Sequence, residues 1–307
     1  MIESTTQDSH QINIPTTFHD YKVIKYLGCG STSVVYLVEE VNTRVLFSAK
    51  IISKKYAEDK KMIKAIQNEV KILNMIDHPN IIKIQDFFEM KNKYEEEYYV
   101  FITEYCQNGD LISYVINHGF NSETEKKKIV LKILEAIKYL HQKGISHGDI
   151  KTENILLDKD LSPKLCDFGY SKTTKIAGDE GKRGTLYYAA PELFTKGEFD
   201  TFKADIYAIG VTLYSMTEKE FPYESDDQKQ IVQQILNGKL TIKKETDPLL
   251  KRLFEKCTVL NPQNRPSIDD IIHDAYFISD YKNNNLCQKK INSYKNIDEI
   301  SIHFFEI

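Results

Sequence analysis

The stretch His147-Gly-Asp-Ile-Lys-Thr-Glu-Asn154, followed by Asp167-Phe-Gly169, decides how this chain is interpreted. Asp149 offers a carboxylate that can take a proton, Asn154 offers an amide oxygen, and Asp167 offers a second carboxylate. Oxygen ligands of this kind suit magnesium, and a carboxylate beside a hydroxyl suits general-base catalysis. Asp and Asn taken singly are more often turn formers, but their joint spacing here predicts a site that handles a metal and a proton.

The composition sets limits on the fold and on the partners. A chain of 307 residues is near the size, roughly 250 to 300 residues, at which one hydrophobic core tends to split into two, so we expect two lobes. Lys and Arg number 41 against 45 Asp and Glu, which gives a net charge of −4. This balance shows no global attraction to polyanions, and we predict binding to neither nucleic acid nor membrane.

Cysteine usage and the N-terminal region indicate the compartment. The five cysteines are an odd number without a C-x-x-C pair, which argues against a disulfide framework and against a structural zinc. The first 20 residues are polar, and the longest apolar stretch, around residues 204–216, is too short and too polar to span a bilayer. We expect an intracellular location, with the cytoplasm favoured and the nucleus left open.

The first half of the chain predicts a small lobe built on an antiparallel sheet. After a polar tail, residues 21–27 and 34–38 flank a Gly-containing turn and predict a hairpin, and residues 46–52 predict a third strand. Apolar residues spaced three and four apart between positions 62 and 73 predict a helix. Two further strands are predicted at residues 81–84 and 98–103.

The second half has the helical period. Beyond Asn108-Gly109, apolar residues recur at helical spacing, and we predict a larger, mainly α-helical lobe. Short strands at 155–157 and 164–166 border the loops that carry the quoted motifs. Further helices are predicted near residues 191–196, 204–218, 226–237, 247–258 and 267–274.

A glycine-containing segment, Gly28-Cys-Gly-Ser-Thr-Ser-Val-Val35, lies between the first two predicted strands. Glycine lets a backbone pass close over phosphate oxygens, although an ordinary hairpin turn explains the segment equally well. Lys50 on the third strand and Glu69 on the helix could form an ion pair that holds the ammonium toward such phosphates. Most Lys–Glu pairs are solvated surface pairs, so it is the position relative to the glycine segment that favours this hypothesis.

Four motifs in order resemble those of a eukaryotic protein kinase of the serine/threonine type. V-A-I-K is represented by Phe47-Ser-Ala-Lys50, H-R-D by His147-Gly-Asp149, D-F-G is unchanged, and A-P-E is Ala190-Pro-Glu192. The resemblance covers roughly residues 20–279, and its general character is similar to the group of calcium/calmodulin-dependent and AMP-activated kinases.

The resemblance implies an α+β, bilobal protein-kinase fold. A small antiparallel β-sheet lobe with one main helix would occupy residues 20–104, and a larger, mainly α-helical lobe residues 105–279. Residues 1–19 would be an N-terminal tail, and residues 280–307 a C-terminal extension.

The same resemblance implies the catalytic roles. Asp149 would be the catalytic base, Lys151 would steady the γ-phosphate, Lys50 would contact the nucleotide phosphates, and Glu69 would orient Lys50. Magnesium would be held by two side chains, Asn154 and Asp167.

ATP, the implied nucleotide, would be surrounded by a larger set of residues. Thr103 would be the gatekeeper, and the hinge backbone at Glu104 and Cys106 would hydrogen-bond the base. Three apolar side chains would sandwich the adenine: Val35, Ala49 and Leu156. The remaining contacts would come from Leu27, Gly28, Gly30, Ser31, Lys50, Asp110 and Asp167.

The implied substrate is a protein with a Ser or Thr hydroxyl, because Lys151 and Thr185 resemble serine/threonine kinases rather than tyrosine kinases. Asp110 and Glu153 occupy positions that, in basophilic relatives, face a basic residue upstream of the phosphoacceptor. Asp110 can instead bind ribose, and Glu153 can simply be solvated, so both interpretations stay open.

Other matches are structural. Glu192 and Arg265 would form a buried ion pair in the large lobe, and Tyr207 stands where the family usually has tryptophan. A hydrophobic column, anchored by Asp205, would join the lobes through Leu73, Ile84, His147 and Phe168.

Two departures from the family pattern support alternatives. Gly148 replaces the arginine that in many relatives couples phosphorylation of the activation segment, the stretch between Asp-Phe-Gly and Ala-Pro-Glu, to the order of that segment. We therefore expect activity without phosphorylation of Thr173, Thr174 or Thr185. Gly148 and Ser33, which stands where a third glycine is usual, also support a catalytically silent, nucleotide-binding scaffold. A small-molecule kinase is a third hypothesis, disfavoured because residues 184–192 resemble a peptide-binding loop.

Three cysteines are expected near the nucleotide cleft, where ATP would protect them in part: Cys29, Cys106 and Cys166.

Overall fold

The computed structural model describes residues 14–30, 33–55, 60–178 and 184–278. Most of the predicted N-terminal tail, Ser31 of the glycine segment and the predicted C-terminal extension lie outside these residues.

Six antiparallel strands form the sheet of the small lobe, in the spatial order β1-β2-β3-β4-β6-β5. The strands are β1 (Thr17–Phe18), β2 (Tyr21–Cys29), β3 (Ser33–Glu40), β4 (Leu46–Ser53), β5 (Ile84–Lys91) and β6 (Glu97–Glu104). Helix α1 (Lys60–Met75) connects β4 to β5 and buries Ile66, Glu69, Ile72 and Leu73, which share one helical face. The predicted order of three strands, one helix and two strands is present, preceded by the short β1.

The predicted strand at residues 81–84 is wrong in its position. The strand begins at Ile84 and continues to Lys91. The apolar residues before it pair with the large lobe instead, since the Ile82 N–H donates to the Leu165 carbonyl at 2.9 Å and the Leu165 N–H donates to the Asn80 carbonyl at 2.9 Å. These apolar residues therefore pack where the two lobes meet. The local sequence pattern cannot distinguish such a segment from a strand.

The register of the sheet assigns its residues to two faces. Ala49 lies opposite Tyr36 and Ile102, while Lys50 lies opposite Val35 and Phe101. Successive residues of a strand point to opposite faces, so Ala49 and Lys50 belong to different faces. The Ala49 face is covered by an apolar cluster of which Val38, Ile51, Val100 and Ile102 are members.

The large lobe is mainly helical. Its helices are α2 (Leu111–Asn117), α3 (Glu123–Gln142), α4 (Thr201–Glu218), α5 (Gln228–Leu236), α6 (Pro248–Cys257) and α7 (Ile268–Ile272). Each begins after an Asp or Ser whose side chain accepts a hydrogen bond from a first-turn N–H, which satisfies one of the orphan donors of the helix start. Two-stranded pairs join β7 (Ile155–Leu157) to β8 (Pro163–Leu165) and β9 (Ile176–Ala177) to β10 (Phe199–Asp200).

Helix α4 runs through the middle of this lobe. Every residue from Asp205 to Met216 is buried, which fits a helix surrounded by others rather than an amphipathic surface helix. The α+β, bilobal prediction is confirmed: an antiparallel sheet with one helix precedes a helical lobe. Within the described residues, no helix is long and apolar enough to cross a membrane.

The predicted ion pair between Glu192 and Arg265 is present. Two guanidinium nitrogens donate to the two carboxylate oxygens at 2.6 and 2.7 Å, and the arginine side chain has no exposed surface. The guanidinium carbon also lies 5.1 Å from the centre of the Tyr207 ring. A cation–π contact therefore forms at the position where the family usually has tryptophan.

Candidate active site

The Asp149 carboxylate is held by four donors. Oδ1 accepts the Thr185 N–H at 2.9 Å and the Thr185 hydroxyl at 3.1 Å. Oδ2 accepts the Lys151 ammonium at 2.7 Å and the Asn154 amide N–H at 3.0 Å. Asp149 is 5 % exposed. A buried carboxylate with this many donors is fixed in position, which is what a positioned proton acceptor needs.

Asp205 in helix α4 fixes the loop that carries Asp149. Its carboxylate accepts the N–H groups of His147 at 2.8 Å and Gly148 at 2.9 Å, and it lies 2.9 Å from His141 Nε2. The His147 ring packs against the Phe168 ring, with centroids 4.9 Å apart and a T-shaped angle of 65°. The catalytic loop and the Asp-Phe-Gly segment therefore share one buried support.

The predicted column through both lobes is partly visible in these contacts. Leu73 and Phe168 are buried members of one apolar cluster, and Ile84 packs against that cluster. His147 is fully buried next to Phe168.

Lys50 and Glu69 form the ion pair expected between the third strand and the helix, with Nζ and Oε2 3.3 Å apart. Burial disfavours the charged ammonium, but the Glu69 and Asp167 carboxylates outweigh that cost, so the pKa of Lys50 is raised. Lys50 therefore stays cationic at neutral pH, and its charge suits it to bind anionic oxygens.

Asp167 lies in a strained position beside this pair. Its backbone has a φ of 65°, in the left-handed region that non-glycine residues rarely occupy. Burial raises the pKa of its carboxyl, but Lys50 and then His147 more than reverse that effect, so the pKa is lowered overall. The carboxylate is therefore ionised and can serve as a metal ligand.

The Asn154 side chain has a fixed orientation. Its NH₂ group donates to the Asp149 carbonyl at 2.9 Å and to the Asp149 carboxylate at 3.0 Å. Because the nitrogen is used in this way, the amide oxygen is the atom left for another ligand. An amide oxygen and an ionised carboxylate from Asp167 fit magnesium, which usually takes one or two protein ligands and completes its shell with water and phosphate oxygens.

One predicted nucleotide contact is wrong. Ala49 is completely buried in the apolar cluster on the face of the sheet opposite Lys50, so it cannot border a nucleotide that Lys50 contacts. The alternation of strand side chains places Ser48 on the Lys50 face instead, directly opposite Thr103 of β6. Strand period alone could have found this residue, because Ser48 is two positions from Lys50.

The other predicted cleft residues occupy the glycine segment, the sheet and the hinge. Val35 shares the Lys50 face, Leu27, Gly28 and Gly30 lie at the end of β2 and just beyond it, and Leu156 lies in β7. Apart from the glycine and its chain neighbours, no heavy atom of the described residues lies within 4 Å of the position that a Cβ at Gly28 would take, so this part of the backbone is open to close approach. Residue Ser31 lies outside the described part of this segment.

The hinge residues make internal contacts. The Glu104 carboxylate accepts the Lys83 N–H at 2.8 Å and lies 2.7 Å from the Lys164 ammonium. Cys106 is buried, and burial, followed by the nearby Glu104 carboxylate, raises the pKa of its thiol to about 12. Cys106 therefore contributes packing rather than reactivity.

Asp110 and Glu153, the two acidic candidates for substrate recognition, are partly used by the fold. Both oxygens of Asp110 accept hydrogen bonds from Ser113, one from its N–H and one from its hydroxyl, both at 2.8 Å, which caps helix α2. Glu153 Oε2 accepts the hydroxyls of Thr152 at 2.9 Å and Tyr188 at 3.0 Å.

The contact between Thr185 and Asp149 was not foreseen. The sequence singles out Thr185 as typical of serine/threonine kinases and as a threonine of the activation segment, but it gives no sign of a contact with Asp149, which lies 36 positions away. The hydroxyl also accepts a hydrogen bond from the Lys151 ammonium at 2.7 Å, so one side chain connects the activation segment to two catalytic-loop residues. A contact over such a sequence distance has no local signal.

Comparisons with known proteins agree with this geometry. The family profile described as "Protein kinase domain" matches residues 21–277. The chain is 31 % identical over 268 residues to the CBL-interacting serine/threonine-protein kinase 14 of Arabidopsis thaliana, an alignment that covers 86 % of this chain and 59 % of the relative.

Two fungal proteins are similar at the same level. The carbon catabolite-derepressing protein kinase of Candida glabrata is 31 % identical over 291 residues, covering 92 % of this chain and 47 % of the relative. The serine/threonine-protein kinase cds1 of Schizosaccharomyces pombe is 30 % identical over 292 residues, covering 89 % and 61 %. The chain thus spans about half to three fifths of the length of these curated relatives.

The buried Asp149 carboxylate, the Lys50–Glu69 pair and the Asp-Phe-Gly segment lie within the matched residues, and the match extends over most of the chain. The chain belongs to the protein kinase domain family.

Proposed function

We propose that this chain is an ATP- and magnesium-dependent protein kinase that transfers the γ-phosphate of ATP to a Ser or Thr hydroxyl of a protein substrate. The observation that supports this most directly is the joint contact of Asp149, Lys151 and Thr185. The Asp149 carboxylate, the Lys151 ammonium and Thr185 of the activation segment are in mutual contact. Transfer of a phosphoryl group to an alcohol needs a proton acceptor and a positive charge close together, and this contact supplies both.

Asp149 is the proton acceptor in this proposal. The substrate hydroxyl hydrogen-bonds to Oδ1 alongside Thr185, while Lys151 and Asn154 continue to hold Oδ2. As the oxygen attacks phosphorus, the O–H proton passes to Oδ1 and the bond from the γ-phosphorus to the bridging oxygen breaks, leaving ADP.

Two ammonium groups of this chain face the charge of the phosphates. The ammonium of Lys50, oriented by Glu69, contacts the phosphates that remain with the nucleotide, and the Lys151 ammonium lies beside the base, where the transferred group arrives. The Asn154 amide oxygen and the Asp167 carboxylate would hold magnesium, which would supply neutralisation of the phosphate charge.

The nucleotide base lies against the Lys50 face of the sheet. Val35 and Ser48 border it from the small lobe and Leu156 from the large lobe, with Thr103 as gatekeeper and the backbone of Glu104 and Cys106 as the hinge contacts. Two relatives are named as serine/threonine kinases, which supports ATP as the donor and a hydroxyl amino acid as the acceptor.

The alternative, a silent scaffold, is less well supported. The residues expected to act in catalysis are all present and make defined contacts, whereas the scaffold rests on the departures at Ser33 and Gly148. Incubation with labelled ATP, magnesium and a degenerate peptide array separates the two. Label on peptides with Ser or Thr, and not on those with Tyr alone, is the expected result. Nucleotide binding without any label would contradict the proposal.

A further inference from the structure

The side chain of Asn68 connects helix α1 of the small lobe to the Asp-Phe-Gly segment and the start of the activation segment. Its NH₂ group donates to the Phe168 carbonyl at 3.1 Å and to the Ser171 carbonyl at 2.9 Å. We propose that Asn68 is a positioning residue, which holds helix α1 and the Asp-Phe-Gly segment in the catalytic arrangement without a phosphate on the activation segment. The inference rests on the proposed function and names a regulatory contact of the same site.

The two carbonyl groups belong to one tight turn. The Ser171 N–H donates to the Phe168 carbonyl at 3.1 Å, which closes the turn from Phe168 to Ser171. Asn68 therefore fastens both ends of this turn with a single amide group. Because both acceptors are carbonyl oxygens, the amide nitrogen must face them, and an oxygen in its place would be repelled.

The turn is pressed between helix α1 and the catalytic loop. On the helix side, a Cβ built at Gly169 would lie 3.6 Å from the Ala65 Cβ, so the helix packs directly against this glycine. On the loop side, a Cβ built at Gly148 would lie 2.6 Å from the Tyr170 carbonyl oxygen. Glycine at position 148 therefore gives the turn the room to lie against the catalytic loop.

The turn is also bonded to that loop. The Ser171 hydroxyl donates to the His147 carbonyl at 3.0 Å, and Ser171 is buried. The hydrogen bond from Asn68 and the hydrogen bond to His147 thus meet at Ser171. Together they link the helix of the small lobe to the loop that carries Asp149.

The position of helix α1 matters for catalysis because Glu69 is the next residue after Asn68. Glu69 holds the Lys50 ammonium at 3.3 Å, and Asp167 immediately precedes the turn. An outward movement of the helix would break both Asn68 hydrogen bonds and separate Glu69 from Lys50 at the same time. The Asn68 contacts use an amide and two carbonyls, so they need neither a phosphate nor an arginine at position 148.

The test compares Asn68→Ala with Asn74→Ala in chains treated with phosphatase. Asn74 is the matched control, because it lies in the same helix and its amide donates to the Val70 carbonyl of that helix at 2.8 Å. Asn68→Ala should lower kcat about five- to fiftyfold, the range expected for two lost hydrogen bonds, while the KM for the peptide stays within about twofold. Asn68→Asp, which places a carboxylate against two carbonyl oxygens, should lower kcat further. Asn74→Ala should leave kcat unchanged.

A double-mutant cycle separates positioning from a general loss of stability. In a Glu69→Gln background, Asn68→Ala should lower kcat less than about twofold, because the ion pair that Asn68 positions is already lost. A general loss of stability would lower kcat by the same factor in both backgrounds.

Three results would overturn the inference and leave the proposed function standing. They are a wild-type kcat for either Asn68 variant, an equal fall of kcat in both backgrounds, and wild-type activity that disappears on phosphatase treatment. No transfer by the wild-type chain, with or without that treatment, would contradict the proposed function itself.

Discussion

Thr185 donates two hydrogen bonds to one oxygen of Asp149, from its N–H at 2.9 Å and from its hydroxyl at 3.1 Å. The activation segment therefore rests directly on the proposed catalytic base. The position of the base depends on the position of this segment.

Removing the Thr185 hydroxyl tests this dependence. Thr185→Val should lower kcat about tenfold to a hundredfold, because hydrogen bonds to charged groups contribute about 1.5 to 3 kcal/mol and the change removes those to Asp149 and Lys151. Thr185→Ser, which keeps the hydroxyl, should retain most activity. Equal activity of the Val and Ser variants in a steady-state peptide assay would show that the contact has no catalytic role.

The ion pair of Glu192 and Arg265 predicts a stability effect. Glu192→Gln should lower the free energy of unfolding by about 3 to 5 kcal/mol, because it leaves a buried guanidinium without its counter-charge. Arg44→Met, which breaks an ion pair whose arginine is 72 % exposed, should cost less than about 1 kcal/mol. Urea unfolding measures both, and similar losses for the two variants would show that burial does not set the cost.

Gly148 lies in a place that no side chain fits. Its φ is +82°, and a Cβ built there would lie 2.6 Å from the Tyr170 carbonyl oxygen. Gly148→Ala should therefore destabilise more than Gly109→Ala, whose φ of +68° is similarly left-handed but whose Cβ would meet no atom of the described residues within 4 Å. We expect about 1 kcal/mol for Gly109→Ala and about 2 to 4 kcal/mol for Gly148→Ala. Equal unfolding midpoints would contradict this.

The cysteines of the cleft should differ in reactivity. Burial, followed by Glu104, raises the Cys106 thiol pKa to about 12, and burial with the Asp167 carboxylate raises the pKa of Cys166 well above its ordinary value. Since the thiolate is the reactive form, both should resist iodoacetamide at pH 8. Exposed Cys29 in the glycine segment should be alkylated, and ATP should slow its labelling.

Peptide mass spectrometry of folded and denatured protein checks this. Denaturation should make all the cysteines reactive. Labelling of Cys106 or Cys166 in the folded chain as fast as Cys29 would contradict the expected difference in thiol reactivity. The sequence predicts protection by ATP for all three cysteines, whereas the structure restricts this expectation to Cys29.

Residues close together in the chain were predicted well, because strand and helix periods and motif spacing depend on local sequence. Lys50 and Glu69 were paired correctly since strand and helix positions near the glycine segment bring them together. Ala49 was misplaced because the motif was aligned by residue type, while the strand alternates faces at every residue. The contact of Thr185 with Asp149 joins chain segments distant in sequence, which periodicity does not report.

The measurement that tests the central proposal most directly compares the wild-type chain with Asp149→Asn in phosphate transfer from ATP to a Ser/Thr peptide, alongside nucleotide affinity. Asparagine keeps the size of the side chain but cannot accept the proton. Transfer should fall by roughly 10² to 10⁴, the usual contribution of a general base, while nucleotide affinity stays within a few fold. Transfer by the variant at the wild-type rate would contradict the role of Asp149, and no transfer by either protein would contradict the proposed kinase activity.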